Sequence, residues 1–310
     1  MSGGSAAADG ATAGRRAVLA APAKVNLHLE ILRRRHDGYH DIETILQAVS
    51  LFDTVTVERF EDSTRGKPRI ELRVRPGGSA PADRHNLCWQ AARLFCQETG
   101  CSGRVRIDLS KDIPSAAGLG GGSSDAAAVL VACDRLFETG LATEQLEALA
   151  ARIGSDAPFF IRGGTMLARG RGTRLTVLPT IRRGYFLLIK PPIDLMARDV
   201  YEGLKMGLTG HVPVANIQNV KALIARFPGT SWFGFNRLEE VVLPAHPALQ
   251  RLILHLKEIA PVAMLSGSGA AVVAVFANEN ELPKISEFAQ EGWFVRVVGP
   301  HAGGVTFMEE

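Results

Sequence analysis

The sequence predicts an α+β protein of two domains. Its 310 residues are about twice the ~150 that one domain usually needs. Period-two stretches and helically spaced stretches are mixed along the chain without a repeating βαβ unit, which argues against a doubly wound sheet. A glycine-rich loop joins one strand to a helix that is apolar on nearly all sides, as an interior helix is. Composition, at 46% hydrophobic and 22% charged, is that of a soluble globular chain, and 35 basic against 32 acidic residues leave +3. That balance excludes the dense basic field of a nucleic-acid binder. No apolar run approaches the roughly 18 residues of a membrane span.

Met1 to Gly14 is Gly, Ser and Ala with one charge, too poor in apolar groups to order, so residues 1–16 are assigned to a disordered tail. Arg15-Arg16 before a short apolar stretch imitates an export signal, but Pro22 interrupts it and the reading is set aside. Val25, Leu27, Leu29 and Ile31 alternate with polar residues, predicting a strand with one buried face. Arg33 to Gly38 is a polar turn, Ile42 to Val57 is extended, and Ile70, Leu72 and Val74 alternate again. Asn86 to Glu98 has helical spacing, and Val105, Ile107 and Leu109 form the strand that leads into the glycine loop. Ala126 to Phe137 is the interior helix, Glu144 to Arg152 a shorter one, and strands are expected around Phe159 and Met166. The first domain is placed at 17–180 and the second at 181–310. In the second, strands are expected at 185–189, 262–265, 272–276 and 293–298, helices near 198–205 and 246–259, and one further helix before the last strand. Cys88, Cys96, Cys101 and Cys133 form no CxxC pair, which suggests buried, inert thiols in a reducing cytoplasm.

Ile113 to Asp125, reading IPSAAGLGGGSSD, is the strongest chemical signal. Backbone N–H groups at a helix start are unpaired and partly positive, so they hold a polyphosphate without a lysine, and glycines let the backbone come close. The segment is not the GxxxxGK[ST] loop, which needs a lysine, nor GxGxxG, because Ser123 stands where the last glycine belongs. A flexible linker or turn is the alternative for a glycine run alone. Asp125 would repel a nucleotide, and reads as a residue of the helix N-terminus rather than a ligand contact.

Pro114-Ser-Ala-Ala-Gly-Leu-Gly-Gly-Gly-Ser-Ser124 resembles the ATP-binding motif of the GHMP kinases, and Leu265-Ser-Gly-Ser-Gly-Ala270 resembles their C-terminal glycine motif. Within that superfamily, Ala23-Lys-Val-Asn-Leu-His-Leu29, Asp37-Gly-Tyr-His40 and Gly154-Ser-Asp-Ala-Pro-Phe-Phe160 are similar to the 4-diphosphocytidyl-2-C-methyl-D-erythritol kinases. The segments run in the family's order from Pro22 to Phe276. The resemblance implies an N-terminal domain like domain 2 of ribosomal protein S5, a ferredoxin-like C-terminal domain, and an active site between them. It implies ATP as phosphoryl donor, with Mg2+ carried as MgATP. The acceptor it implies is the 2-hydroxyl of a cytidine diphosphate conjugate of methylerythritol, in non-mevalonate isoprenoid precursor biosynthesis. A cytoplasmic monomer or weak homodimer, without nucleic-acid or membrane partners, completes the expectation.

The family's catalytic pair falls on Lys24 and Asp156. Asp156 orients the acceptor hydroxyl or takes its proton, a choice left open, while Lys24 keeps Asp156 ionised and offsets charge near the γ-phosphate. Taken alone, Lys24 would be a solvated strand lysine and Asp156 a turn or capping residue. ATP binding is assigned to Pro114, Ser115, Ala116, Ala117, Gly118, Leu119, Gly120, Gly121, Gly122, Ser123 and Ser124, with Ser124 also a candidate to touch Mg2+. Lys111 and Asn86 match positions near the adenine pocket of relatives, or else are surface residues. Asn26 shares the Lys24 face of a strand and suits the acceptor hydroxyl, or a strand-edge hydrogen bond. Tyr39, His40 and Tyr201 fall where the family recognises cytosine, by stacking on the ring and reading its edge. Gly267, Ser268 and Gly269 contact substrate phosphates through backbone amides, or form a tight turn. No protein ligands of a metal are assigned; His36 and His40, four apart across Gly38, make a poor pair.

Three departures stand out. Ala270-Ala271 replaces the family's Pro-Thr, which suggests a more mobile loop. Ala197 stands where a hydroxyl residue is common, and Ser115-Ala116-Ala117 varies the usual start of the loop. A homoserine or mevalonate kinase of the same superfamily is the rival enzyme, although those lack the Gly-Tyr-His segment. A non-catalytic nucleotide-binding regulator is the rival of another class, against which Lys24 and Asp156 speak.

Overall fold

The computed structural model describes residues 14–61, 68–75, 80–204, 217–229 and 233–309, so residues 1–13 of the tail expected over 1–16 lie outside it. The chain opens with a long antiparallel hairpin, β1 (Arg15–Arg34) and β2 (His40–Phe60), registered from Arg15↔Arg59 to Arg34↔His40. Arg15 and Arg16, expected in the tail, thus begin the first strand. β3 (Arg69–Val74), α1 (Leu87–Thr99), β4 (Arg104–Ser110), α2 (Gly121–Phe137) and α3 (Thr143–Ile153) follow. Next come α4 (Ala157–Arg162), β5 (Thr165–Gly170), β6 (Arg174–Val177), β7 (Tyr185–Lys190) and α5 (Ala197–Glu202). The remaining elements are α6 (Ile217–Ala225), β8 (Phe235–Asn236), α7 (Glu239–Ala245), α8 (Pro247–Ile259), β9 (Val262–Leu265), β10 (Val272–Phe276), β11 (Phe294–Val298) and β12 (Thr306–Phe307).

The first sheet runs β12-β1-β2-β4-β3, with β5 also on β2, β6 on β5 and β8 on β1. The second is β11-β7-β10-β9, antiparallel throughout. Helices α1, α2 and α3 cover one side of the first sheet through Phe95, Val129, Leu130 and Leu146, while Val25, Leu27 and Ile45 pack on Phe186, Leu188 and Val273 of the second. α7 and α8 close the far side of the second sheet through Val242, Leu249 and Leu256. The molecule is therefore layered helix, sheet, sheet, helix.

A register shift between Pro22 and Ala23 shapes the hairpin. Before it, Ala17, Leu19 and Ala21 face the helices; after it, the equally odd-numbered Ala23, Val25 and Leu27 face the second sheet. A β-bulge exchanges the faces of a strand in this way. The even-numbered Lys24, Asn26, His28 and Glu30, expected on a solvated face, are buried as well.

Three other expectations are corrected. Phe159 is helical, in α4, because Pro158 presets the first helical turn and cannot donate to a ladder. The helix expected before the last strand is two short 3-10 turns, Glu279–Glu281 and Ile285–Glu287, separated by Pro283. β6, α6, α7, β8 and β12 are additional; α7 carries Val241, Val242 and Pro244, which weaken a helical signal.

The sheets divide near residue 180, except that β8 and β12 return to β1. The C-terminal segment crosses back by backbone contacts: His301 N donates to Ala48 O, Val305 N to Phe160 O and Met308 N to Val18 O, at 2.7, 2.9 and 2.8 Å. A Cβ on Gly304 would stand 2.1 Å from Phe160 O. Gly304→Ala should therefore lift this segment, lowering the unfolding free energy by about 2 kcal/mol. Urea denaturation and faster hydrogen exchange at Met308 and Val305 check it; unchanged stability would refute the close contact.

Candidate active site

A cleft of about 1110 Å3 lies where β1, the glycine loop, α5 and the turn between β9 and β10 converge. That exceeds the ~300–1,000 Å3 of most ligand pockets and leaves room for two ligands side by side. Every candidate residue lines it except Ser124 and Gly269. Ser124 is fully buried, with a hydroxyl that meets neither cleft nor partner, whereas Ser123 reaches the cleft. Gly269 turns toward Leu265 and Leu195.

The glycine loop is shaped by the protein as much as by any ligand. Gly118 and Gly120 have φ of +72° and +74°. A Cβ on Gly118 would fall 1.8 Å from Ser266 O, and one on Gly120 would fall 2.7 Å from the Phe160 ring and 3.1 Å from Lys24 Cγ. Glycine is obligatory at both positions. Gly120 supplies the N-cap of α2 without any side-chain cap. The first amides of a 17-residue interior helix thus face the cleft as an anion site.

The turn between β9 and β10 is fastened to this loop. Ser266 Oγ donates to Gly118 O at 3.0 Å, Ala271 N to Ala117 O at 3.1 Å and Ala270 N to Ala116 O at 3.3 Å. The expectation of a looser turn does not account for that last bond, since proline at 270 has no N–H to give. Asn236 on β8 adds two donor bonds, to Leu265 O at 3.0 Å and Gly267 O at 2.7 Å.

Lys24 is buried, not solvated: its side chain is 4% exposed, and Nζ lies 3.5 Å from Asp156 Oδ2. Asp156 occupies the N-cap position of α4 but makes no capping hydrogen bond, so its carboxylate is free for the cleft. Lys24 Nζ also donates to Asn26 Oδ1, Asn26 Nδ2 donates to Thr44 Oγ1, and Thr44 Oγ1 donates to His28 O, at 2.7, 2.7 and 2.6 Å. Asn26 is thus an interior link that aims the ammonium rather than a strand-edge group.

Across the cleft, the His40 and Tyr201 rings lie 5.4 Å apart and Tyr39 stands half exposed beneath the Arg171 guanidinium, 3.5 Å from its ring centroid. Burial, with the Arg34 charge adding, lowers the His40 pKa below 6.5. The ring is then neutral near pH 7, with one donor and one acceptor nitrogen. Burial and then Asp156 hold the Tyr201 phenol far above its usual pKa, so it stays protonated. Among the described residues Arg171 Nε meets no hydrogen-bond partner. Sequence reasoning missed Arg171 because nothing in its tight turn between β5 and β6 announces that it reaches the cleft.

Asn86 caps α1, accepting from Cys88 N at 2.9 Å, and donates to Pro81 O at 2.7 Å while lining the cleft. Lys111 is buried, not at the surface, and is paired with Asp53 and Asp125. Burial opposes its charge but the two carboxylates outweigh it and raise its pKa. Burial pushes the Asp125 carboxyl upward against the pull of Lys111, with Asp53 adding to the rise. Among the described residues no three His, Cys, Asp or Glu side chains converge as metal ligands. The four cysteines are free; Cys101 is only half buried, and burial raises the Cys96 thiol to about 11. No helix among the described residues is long and apolar enough to cross a membrane.

Comparison with known proteins gives a consistent picture. Residues 86–164 match the profile of the GHMP kinases N terminal domain. The 4-diphosphocytidyl-2-C-methyl-D-erythritol kinase of Syntrophus aciditrophicus (strain SB) is 39% identical over 265 residues, covering 84% of this chain and 90% of that protein. A crystal structure of 4-(cytidine 5'-diphospho)-2C-methyl-D-erythritol kinase superposes with a TM-score of 0.72 at 32% identity, covering 91% of this chain and 99% of that one. Homoserine kinase from Cytophaga hutchinsonii ATCC 33406 shares the fold, with a TM-score of 0.74 at 20% identity over 94% and 97% of the two chains.

His40 supplies a test of the site's electrostatics. Its folded pKa lies below the ordinary 6.5, so the stability linked to it is complete above about pH 6.5 and is lost as pH falls through the folded value. A histidine-resolved NMR titration should find that depressed value, and His40→Asn should flatten the fall in urea midpoint between about pH 7 and pH 5. An identical acid slope in the variant would contradict it.

Proposed function

The chain belongs to the 4-diphosphocytidyl-2-C-methyl-D-erythritol kinase family of the GHMP kinases, and we infer that its cleft transfers the γ-phosphoryl group of ATP to the 2-hydroxyl of that cytidine diphosphate conjugate. The products are the 2-phosphate and ADP, in non-mevalonate isoprenoid precursor biosynthesis. The observation that carries this reading is the 3.5 Å pair of buried Lys24 and cleft-facing Asp156, standing opposite an uncapped helix start.

Phosphoryl transfer is mainly alignment and stabilisation of spread negative charge. Amides of residues 118–123 hold the triphosphate, with adenine toward Asn86 and Lys111. Magnesium comes with ATP as part of the substrate; among the described residues no cluster of three His, Cys, Asp or Glu side chains would hold it alone. Asp156 aims the acceptor hydroxyl. Lys24, itself aimed by Asn26 and Thr44, offsets charge that builds on the transferring group. Tyr39 and Tyr201 provide aromatic faces for cytosine, and neutral His40 matches an edge that both donates and accepts. The Arg171 guanidinium complements the conjugate's diphosphate. The backbone of Gly267 and Ser268 closes the phosphate side.

The second sheet, ordered β11-β7-β10-β9, supports reading the C-terminal unit as ferredoxin-like, and the family resemblance implies an S5-like first unit. We assign the boundary to residues 178–184, with β12 given back to the first unit. A cytoplasmic monomer or weak dimer suits such an enzyme.

Purified protein with MgATP should release ADP with the cytidine conjugate and not with homoserine or mevalonate; the reverse pattern would assign it to a rival substrate. Lys24→Met and Asp156→Ala should each lower kcat by about 10²–10⁴-fold while circular dichroism stays that of the parent; Asp156→Ala should also lower the urea midpoint, because it takes the carboxylate from the buried Lys24 ammonium. A folded, fully active Asp156→Ala protein removes that residue's role.

A further inference from the structure

Behind the glycine loop three charged side chains are buried together: Asp53 with no exposure, Lys111 with 6% and Asp125 with 2%. Lys111 Nζ meets Asp53 Oδ2, and meets Asp125 Oδ2 at 2.6 Å. The other Asp53 oxygen, Oδ1, accepts from Asp112 N at 2.6 Å and Ile113 N at 2.9 Å.

Asp53 sits at the point where the first sheet splits. β4 leaves β2 at the pair Thr54↔Ser110, and β5 takes up the same edge of β2 only at Gln47↔Thr165. In the gap, the Asp53 carboxylate supplies the acceptors that a strand would otherwise have supplied to residues 112 and 113. Those two residues begin the glycine loop. Its far end is held by the same group through Lys111, which reaches Asp125, the fifth residue of α2, and runs beneath Gly121. A Cβ on Gly121 would lie 3.0 Å from Ile113 Cγ2 and 3.1 Å from Lys111 Nζ. An ammonium there is opposed by the positive end of α2, so it stays only with counter-charges beside it.

We propose that Asp53 is the positioning residue for the phosphoryl donor: one buried carboxylate registers both ends of the glycine loop, so that its amides converge on a single triphosphate. The proposal rests on the nucleotide-binding reading above and adds a residue that never touches the nucleotide. Bonds from ammonium and amide to an ionised oxygen are stronger than neutral ones, and removing the charge weakens both ends at once.

Asp53→Asn keeps an oxygen for the two amides and removes the charge. It should fold, weaken MgATP by about tenfold or more in calorimetry and in KM for ATP, and leave KM for the acceptor within about twofold. Hydrogen exchange of free protein should quicken at residues 112–123 and not along the β1–β2 hairpin. Glu43→Gln, which alters an equally buried β2 carboxylate paired with Arg169, should leave KM for ATP unchanged. If Asp53→Asn does not fold, Asp125→Asn decides: exchange should quicken at 121–124 while 112 and 113 stay protected. Unchanged exchange and ATP affinity in the folded variant, or a rise spread evenly over the sheet, overturns the proposal. If the parent protein fails to bind MgATP, the functional reading falls, and loop exchange still decides whether Asp53 holds the loop.

Discussion

The burial of Lys24 is the constraint on which the rest of this architecture turns. A lysine ammonium inside a protein needs compensating partners, because desolvation costs more than distant charges return. Here the partners come from three places: Asp156 at the start of α4, Asn26 on the same strand, and Thr44 behind Asn26 on β2. They meet because the bulge at Pro22 and Ala23 turns the hairpin over. The same step sends Val25 and Leu27 into the space between the sheets and Lys24 toward the glycine loop. Core and site are thus two consequences of one irregularity in the pairing of β1 with β2.

The contact between the two loops is of a different kind. Backbone approaches backbone at Gly118 and Ser266, and three hydrogen bonds cross between the loops. Loops of such composition are usually the mobile parts of a fold. These are pinned by hydrogen bonds from both sheets, with Asn236 holding one from beneath. The amide array facing the cleft is therefore organised before any anion arrives, which is what electrostatic stabilisation of a transition state requires.

Much of this was legible in the residues themselves. Alternation marked β1, β3 and β4, and the loop between a strand and an interior helix marked the anion site. The motifs around Lys24, Tyr39 and Asp156 marked the reactive groups. What was not legible depended on contacts far apart in sequence. Period two implied a solvated face for Lys24 and Asn26, because a bulge leaves no local signal and the glycine loop and the start of α4 cover that face from a distance. Lys111 was equally well a surface residue until Asp53, 58 positions away, was brought beside it. Phe159 in a Phe-Phe pair suggested a strand, and only Pro158 pointed the other way. Ser124 and Ser123 are indistinguishable in a glycine-serine run; helical geometry sends one inward and the other to the cleft.

The return of the chain to its starting sheet bears on how the molecule can move. Gly234 N bonds to Leu27 O, Arg237 N to Leu29 O and His301 N to Ala48 O, so the C-terminal unit is stitched to the N-terminal hairpin at its middle as well as at its end. A unit moored at successive points on both strands of one hairpin cannot swing as a free lobe does without parting main-chain bonds. Access for substrates is then governed by the unmoored side of the cleft, where Met196 and Tyr201 face Tyr39 and His40. The kinetics of loading should be written in side-chain rearrangements there rather than in the travel of whole domains.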